Sequence, residues 1–256
     1  MTTHSNCILS ERNKNGCNTC SMTCPHKISL MGLNGKGGRL ASAGVPAEYR
    51  NVTVANSAAR EDQAKAYEAI ERYVSEFNGS LYLFSKATGT GKTTTASAIL
   101  NEYIIRDYLG ALKRGEQPTQ KPAYFLDVNE WQTLFNGFNR RNIPQDVAEQ
   151  YSRPYYSMME RAKHAPFAVL DDIGVRSASE AFRGDLHTII NYRVTNGLPT
   201  VYTSNIPLIH PEKPDKRVEA LKPYDLYDVF DVRLLDRVRD NCELVNFEGK
   251  SKRGKR

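Results

Sequence analysis

The stretch from Phe84 to Thr95, FSKATGTGKTTT, constrains the fold of this chain more than any other part of its sequence. An apolar run, LYLF, ends at Phe84, and a helical pattern of apolar residues begins at about Thr93. A strand, a glycine-bearing turn and a Gly-Lys-Thr that opens a helix form the context of a phosphate-binding loop. Gly89 and Gly91 allow a tight turn there, so backbone N–H groups and the helix N-terminus face the anion.

The side chains of this loop predict a bound nucleoside triphosphate together with Mg²⁺. Lys92 can reach the β- and γ-phosphates, and the Thr93 hydroxyl is a ligand for Mg²⁺. The other nucleotide-binding candidates are Thr88, Gly89, Thr90, Gly91 and Thr94. The usual pattern is G-x-x-x-x-G-K-[ST], whereas Lys86 occupies its first position here. Because the turn glycines and the Gly-Lys-Thr remain, the departure is peripheral to the prediction.

A second motif, FAVLDDIG, delivers two carboxylates at the end of an apolar strand. Ligands of open α/β sheets bind at the C-terminal edge of the strands, which is where Asp171 and Asp172 are expected. Asp171 is the candidate to hold Mg²⁺, directly or through water. Asp172 is the candidate to orient or deprotonate the attacking water. The motif follows the phosphate loop with one strand between them, which makes the pair specific for nucleotide hydrolysis.

Two further candidates lie towards the C-terminus. Asn205 ends a fourth predicted strand, LPTVYTSN, where a polar residue can sense a γ-phosphate; a turn cap is its plainer role. A short helix over 231–239 carries Arg233 and Arg237 on one face, because they are spaced i, i+4.

The whole pattern predicts an α/β fold with a parallel sheet flanked by helices. Apolar runs predict five strands, at about residues 81–84, 123–128, 167–171, 199–205 and 242–248. Helical spacing predicts helices over about 57–77, 93–108, 129–163, 179–195 and 231–239, the third broken near Pro144 and Pro154. The 129–163 segment interleaves aromatic and arginine residues, which predicts either contact with nucleic acid or ordinary packing.

The first residues differ from the rest of the chain because four of the five cysteines lie there. Cys17, Cys20 and Cys24 form C-x₂-C-x₃-C, and either Cys7 or His26 can complete a tetrahedral Zn²⁺ site. A flexible arm with incidental cysteines and an iron–sulfur cluster are the alternatives. Glycine supplies five of the thirteen residues in the following GLNGKGGRLASAG, a composition that predicts a linker.

We therefore divide the 256 residues into two parts: 1–44, a zinc-binding N-terminal domain plus linker, and 45–256, a nucleotide-binding domain. A basic tail ends the chain, with Lys250, Lys252, Arg253, Lys255 and Arg256. No apolar run approaches the roughly 20 residues of a membrane span, and the N-terminus lacks the apolar core of a signal peptide. We expect a cytoplasmic protein without membrane contact.

The motifs resemble, in order and spacing, those of the DnaC/DnaI helicase loaders. The segments ATGTGKTTTA, FAVLDDIG, LPTVYTSN and RLLDRVR, with VNFEGKSKR at the end, carry the resemblance over about residues 44–253. The connector GVPAEYRNVTVAN is also similar to that family, and a cysteine-bearing N-terminal segment resembles the DnaI type. These loaders are AAA+ P-loop ATPases related to DnaA and IstB. The resemblance implies a five-stranded AAA+ core without a helical lid, since the chain ends soon after the fifth strand.

The resemblance also implies roles for individual residues. Lys92 and Thr93 match the phosphate-loop residues, Asp171 and Asp172 the acidic pair, and Asn205 the sensor asparagine. Arg237 matches the arginine finger that enters the ATP site of a neighbouring subunit; Arg233 is the rival for that role. Arg176 stands where relatives often have Glu, which leaves that position without a predicted role.

The implied function is ATP-dependent loading of a replicative DNA helicase onto single-stranded DNA, with ATP and Mg²⁺ bound between subunits of an oligomer. The alternatives are an IstB-like transposition helper acting on duplex DNA and an ATP-gated adaptor with little hydrolysis. The cysteine-bearing N-terminus favours the loader.

Overall fold

Five parallel strands form the sheet of this protein. The structure is a computed structural model, and it describes residues 8–9, 23–174, 178–208, 226, 232–249 and 251. The strands are β1 (Ser80–Phe84), β2 (Ala123–Asp127), β3 (Phe167–Asp171), β4 (Thr200–Ser204) and β5 (Cys242–Asn246). Their spatial order is β2-β3-β4-β1-β5, and every neighbouring pair is parallel. The predicted α/β class with a five-stranded parallel sheet is confirmed.

Helices cover both faces of the sheet. They are α1 (Pro25–Met31), α2 (Gly38–Ser42), α3 (Ala64–Glu76), α4 (Lys92–Lys113), α5 (Val128–Phe138), α6 (Gln145–His164), α7 (Glu180–Thr195) and α8 (Val232–Arg239). Helices α1 to α4 share one buried apolar cluster with the sheet, and α5 to α8 share a second one. Within the described ranges, no helix is long and apolar enough to cross a membrane.

Alternation along the strands produces these two clusters. Val169 and Val201 face the α4 side, whereas Leu170 and Tyr202, one residue further along each strand, face the α5–α8 side. All four side chains are fully buried. A central parallel strand is buried on both faces, so it reads as a continuous apolar run rather than an alternating one. That is why these strands could be recognised from the sequence.

The linker predicted over 32–44 is wrong, because this segment packs against the body of the protein. Arg39 on α2 is 6% exposed and donates a hydrogen bond of 2.9 Å to the Thr119 carbonyl. The backbone N–H of Phe125 donates to the carbonyl of Ala43 at 2.7 Å, which pairs the outer edge of β2. Composition suggested flexibility, but Leu40 and Ala43 are fully buried in the first cluster, although Leu33 is exposed. The division of the chain into two domains at 44/45 remains a prediction.

Two helix boundaries also differ from the predictions. Helix α3 begins at Ala64 rather than at Ser57, whose hydroxyl accepts a hydrogen bond of 2.5 Å from Tyr67. The predicted break near Pro144 is confirmed, since α6 begins directly after it. The break near Pro154 is wrong: α6 continues through this residue. Tyr155, next in the chain, is fully buried, and such packing outweighs the one hydrogen bond that proline removes.

Candidate nucleotide-binding site

The loop between β1 and α4 has the backbone that a phosphate-binding turn requires. Gly89 has φ of 71° and Gly91 has φ of 98°, both in the left-handed region that favours glycine. A Cβ added to Gly91 would also lie 2.5 Å from the Cβ of Ala59. Helix α4 begins at the next residue, so its first N–H groups open towards the loop.

The side chains of the loop divide into buried and exposed groups. Lys92 is 5% exposed, and its Nζ lies 3.4 Å from the carbonyl oxygen of Ala87. Thr90 is 6% exposed, and its hydroxyl has no hydrogen-bond partner among the described residues. Thr88 and Lys86 are exposed. Lys86 is therefore on the outer side of the loop, and nothing in the structure gives it a role.

Asp171 lies between the start of α4 and the end of β4. Its Oδ2 accepts a hydrogen bond of 3.1 Å from the Thr93 hydroxyl, and its Oδ1 accepts one of 2.6 Å from the Thr203 hydroxyl. Strand register explains the second contact, because Asp171 and Thr203 follow directly after the paired residues Leu170 and Tyr202. Both side chains point to the α4 face, as Val169 and Val201 do, because side chains two residues apart on a strand share a face.

The pKa of Asp171 is raised to about 7, chiefly by burial. The neighbouring Asp172 contributes to this rise, since a nearby carboxylate disfavours a second negative charge. The hydrogen bonds from Thr203 and Thr93 act in the opposite direction, because they stabilise the ionised form, and Asp127 adds a smaller upward effect. Without a cation nearby, ionisation of this carboxyl group is unfavourable.

Asp172 has an unusual backbone conformation for a non-glycine residue, with φ of 60°. Its N–H donates to the Thr203 hydroxyl oxygen at 2.9 Å. Its carboxylate accepts a hydrogen bond of 3.4 Å from the side-chain amide of Asn129. Asn129 lies in the first turn of α5, which follows β2 without a loop and is capped by the side chain of Asp127.

Asn205 lies at the side of the phosphate loop. Its side-chain Nδ2 donates to the carbonyl oxygens of Ser85, at 2.8 Å, and Ala87, at 3.0 Å. The end of β4 is thereby joined to the same loop segment that the Lys92 ammonium group approaches.

The structure thus brings five of the predicted site residues to one edge of the sheet: Lys92, Thr93, Asp171, Asp172 and Asn205. Sequence reasoning did not single out two others, Thr203 and Asn129. Thr203 carried a usable signal, because it lies two residues before Asn205 in the same predicted strand and so occupies the end of that strand. The position of Asn129 depends on the absence of a loop before α5, which no residue pattern announced.

Arg237 is exposed on α8. Along the described chain, no hydrogen bond or ion pair joins it to the phosphate loop or to the two carboxylates. It lines an open groove between α7 and α8 together with Arg233, His187 and Asn191. The rival finger Arg233 is likewise exposed, so the two arginines are not distinguished by burial.

The zinc candidates are described only in part. Three of them, Cys7, Cys17 and Cys20, lie outside the described residues, as does Arg176. Cys24 is a half-buried free thiol just before α1, and Nδ1 of His26 lies 2.9 Å from the Tyr108 hydroxyl. Among residues that the structure describes, no group of three or more His, Cys, Asp or Glu is arranged to hold a metal ion.

The aromatic residues between 129 and 163 are mostly part of the core. Phe135 and Tyr155 are buried in the cluster beneath α5 to α8, so they are not available for stacking on bases. Tyr156 is 55% exposed and lies at the same end of the α5–α6 pair as the exposed Arg140 and Arg141. These outer residues and Arg153, which is also exposed, are available from this segment for contact with a nucleic acid.

Comparison with known proteins identifies a shared fold. No protein-family model matches the chain, and no curated protein does. The crystal structure of DnaI is 20% identical in sequence, covers 84% of this chain and 100% of its own, and has a TM-score of 0.52. The crystal structure of the DnaC helicase loader is also 20% identical, covers 78% of this chain and 99% of its own, and has a TM-score of 0.51. The chain therefore has the fold of the DnaI structure and of the DnaC helicase loader structure.

Proposed function

We propose that this protein is an ATPase that loads a replicative DNA helicase onto single-stranded DNA during replication initiation. One observation carries the proposal: a phosphate-binding loop, two carboxylates and Asn205 meet at one sheet edge. The fold in which they meet is that of DnaI and of the DnaC helicase loader. The function implies a cytoplasmic protein.

The residues around the loop fit ATP and Mg²⁺. Hydroxyl and carboxylate oxygens are the ligands that Mg²⁺ prefers, and Thr93 and Asp171 present them 3.1 Å apart. The hydroxyl of Thr90, in the loop itself, is buried and has no hydrogen-bond partner among the described residues, so it would donate to a phosphate oxygen there. Lys92 and the first N–H groups of α4 would hold the phosphates. Bound Mg²⁺ supplies charge neutralisation between the phosphates.

The remaining site residues would act on water and on the terminal phosphate. Asp172 would orient the attacking water and accept its proton, and its bond to Asn129 supports a fixed carboxylate orientation. Asn205 would donate to the γ-phosphate in exchange for one of its bonds to the loop carbonyls. That exchange would couple the end of β4 to the nucleotide state.

We further propose that Arg237 completes the site of a neighbouring subunit. A guanidinium group exposed on α8 is free to enter an adjacent copy and to bind phosphate oxygens with two N–H groups. The protein would then hydrolyse ATP only as an oligomer. Single-stranded DNA would contact the outer α5–α6 residues Tyr156, Arg140 and Arg141 and the basic tail.

The N-terminal cysteines would bind Zn²⁺ and form the surface that grips the helicase. Cys17, Cys20 and Cys24 would supply three ligands, with Cys7 or His26 as the fourth. The bond from Nδ1 of His26 to Tyr108 does not decide between them, because a metal-binding imidazole commonly has a hydrogen-bond partner on its other ring nitrogen. Metal analysis of the purified chain should find about one Zn²⁺ per chain; less than half would count against the site.

The direct test of the function combines capture and turnover. The protein with ATP should retain a replicative helicase and not a transposase, whereas Lys92→Ala should retain neither well because nucleotide binding is lost. Retention of a transposase on duplex DNA instead would establish the transposition helper. ATP turnover should be stimulated by DNA and helicase and abolished in Asp172→Asn. If the unmodified protein and Asp172→Asn hydrolyse ATP at the same slow rate, the protein is an ATP-gated adaptor rather than an ATPase.

The shared site has its own test. Arg237→Ala and Lys92→Ala subunits are each expected to be inactive, but a mixture should regain part of the activity, because one interface then combines an intact loop with an intact arginine. Arg233→Ala is the matched control on the same helix face. If Arg237→Ala alone turns over ATP at the normal rate in the assembled state, the trans role is wrong.

A further inference from the structure

We propose that Thr203 is a positioning residue that orients both carboxylates of the site through one hydroxyl group. The inference rests on the proposed function, since it assigns Thr203 to the orientation of the Mg²⁺ ligand Asp171 and of the water-orienting Asp172. Thr203 itself would touch neither the nucleotide nor the cation.

The hydrogen-bonding roles of the Thr203 hydroxyl are fixed by its surroundings. The side chain is fully buried, so solvent does not compete for it. Asp172 contributes a backbone N–H at 2.9 Å, which can only donate, so Oγ1 accepts there. The single hydroxyl proton is then available for Oδ1 of Asp171, at 2.6 Å. Oγ1 of Thr203 therefore links the main chain of Asp172 to the side chain of Asp171.

The two bonds fix different quantities. The bond to Asp171 sets the rotation of that carboxylate, which leaves Oδ2 directed at the Thr93 hydroxyl. The bond from Asp172 holds a backbone with φ of 60°, a left-handed conformation that is unfavourable for a non-glycine residue. Loss of the hydroxyl would leave the Asp171 carboxylate oriented by the Thr93 hydroxyl without Thr203, and would remove one restraint on Asp172.

The main chain of Thr203 acts independently of its side chain. Its carbonyl oxygen accepts a hydrogen bond of 2.9 Å from the N–H of Ile173. Replacement by valine keeps this bond, the branched shape and the strand, and removes only the hydroxyl. A change in metal dependence in that variant would therefore come from the carboxylates rather than from loss of β4.

The adjacent residue provides a matched control. Ser204 is also fully buried, and its hydroxyl makes two hydrogen bonds, donating to the Ile173 carbonyl at 2.7 Å and accepting from the Ile206 N–H at 3.0 Å. It points to the opposite face of β4 and contacts neither carboxylate. Ser204→Ala thus removes a buried hydroxyl of the same strand, with a similar effect on stability but without an effect on Asp171.

The experiment measures the equilibrium affinity of the full chain for a fluorescent N-methylanthraniloyl ADP, once with Mg²⁺ and once with EDTA, together with the thermal midpoint. The ratio of the two affinities is the Mg²⁺ enhancement. Thr203→Val should keep the affinity in EDTA and reduce the Mg²⁺ enhancement about tenfold, as is usual when a partner of a metal ligand is removed. Thr203→Ser should retain the enhancement, because it restores the hydroxyl.

Other results would overturn the inference. An unchanged enhancement in Thr203→Val, or an equal loss in Ser204→Ala, would show that Thr203 has only a structural role. If Thr203→Val does not fold, Thr203→Cys replaces it, since a thiol is a weak hydrogen-bond donor of similar size. Absence of nucleotide binding by the unmodified chain in both buffers would instead refute the proposed function, and the inference with it.

Discussion

Replacing Asp171 by asparagine should stabilise the nucleotide-free protein at pH 8. The amide keeps the shape of the carboxyl group, accepts from Thr203 through its oxygen and donates to the Thr93 hydroxyl through its nitrogen. It removes the charge that burial and Asp172 make unfavourable. The substitution would abolish metal-dependent function, so stability and activity should change in opposite directions.

The size and the pH range follow from the pKa of the native carboxyl group. Folding raises the pKa of Asp171 from its ordinary value of 3.8 to about 7. Below 3.8 the group is protonated in both states and stability is unaffected. As the pH rises towards 7, the unfolded chain ionises first and the native state loses stability; above 7 the full loss remains. A shift of this size corresponds to about 4 kcal/mol.

Urea denaturation in EDTA between pH 4.5 and 8.5 measures this effect. The free energy of unfolding of Asp171→Asn minus that of the unmodified protein should be about 1 kcal/mol at pH 4.5 and should rise to about 4 kcal/mol at pH 8. Glu61→Gln, at an exposed position, is the control and should give a small difference without this rise. A difference that does not vary with pH, or a less stable Asp171→Asn at pH 8, would refute the reasoning.

Two further substitutions test the architecture that supports the site. Arg193 is fully buried and donates four hydrogen bonds of 2.7–2.8 Å to acceptors around the ends of α6, α7 and β4. Arg193→Met should therefore lower the free energy of unfolding by about 3 kcal/mol or more in urea titrations, and a loss below about 1 kcal/mol would contradict this. Gly91→Ala should lower the thermal midpoint more than Gly115→Ala. Both glycines have positive φ, but a Cβ on Gly91 would collide with Ala59, whereas nothing lies within 4 Å of a Cβ on Gly115. Equal decreases in the midpoint would show that the contact with Ala59 relaxes freely.

The principal site residues could be predicted because each one ends an apolar strand or begins a helix. In a parallel sheet these ends meet at one edge whatever the detailed packing is, so Lys92, Asp171 and Asn205 were expected to be neighbours. The strands themselves were evident from continuous apolar runs such as Phe167–Leu170, whose residues are fully buried. These predictions depended mainly on the order of the motifs along the chain, and less on the lengths of the strands or the register between them.

The contacts that the sequence did not reveal depend on register and on distant partners. Thr203 reaches Asp171 only because β4 lies beside β3 with these two residues level, a relation between chain positions 32 residues apart. The predicted linker failed for a similar reason: Arg39 is bound to carbonyl groups 79 and 80 residues away, which local composition does not report. Local pattern gives elements and their ends, whereas cross-strand neighbours require the assembled sheet.

The unfavourable features of the described molecule are concentrated at the site edge. Asp171 resists ionisation, Asp172 has a left-handed backbone, and the Thr90 hydroxyl is buried without a partner, all at the ends of β3 and of the phosphate loop. The sheet interior behind them is packed with apolar side chains. A cation beside Asp171 would favour its charged form, and a phosphate would satisfy Thr90, so both costs fall when a ligand binds. The stability lost in the unliganded state would therefore be regained as binding free energy when a cation and a phosphate bind.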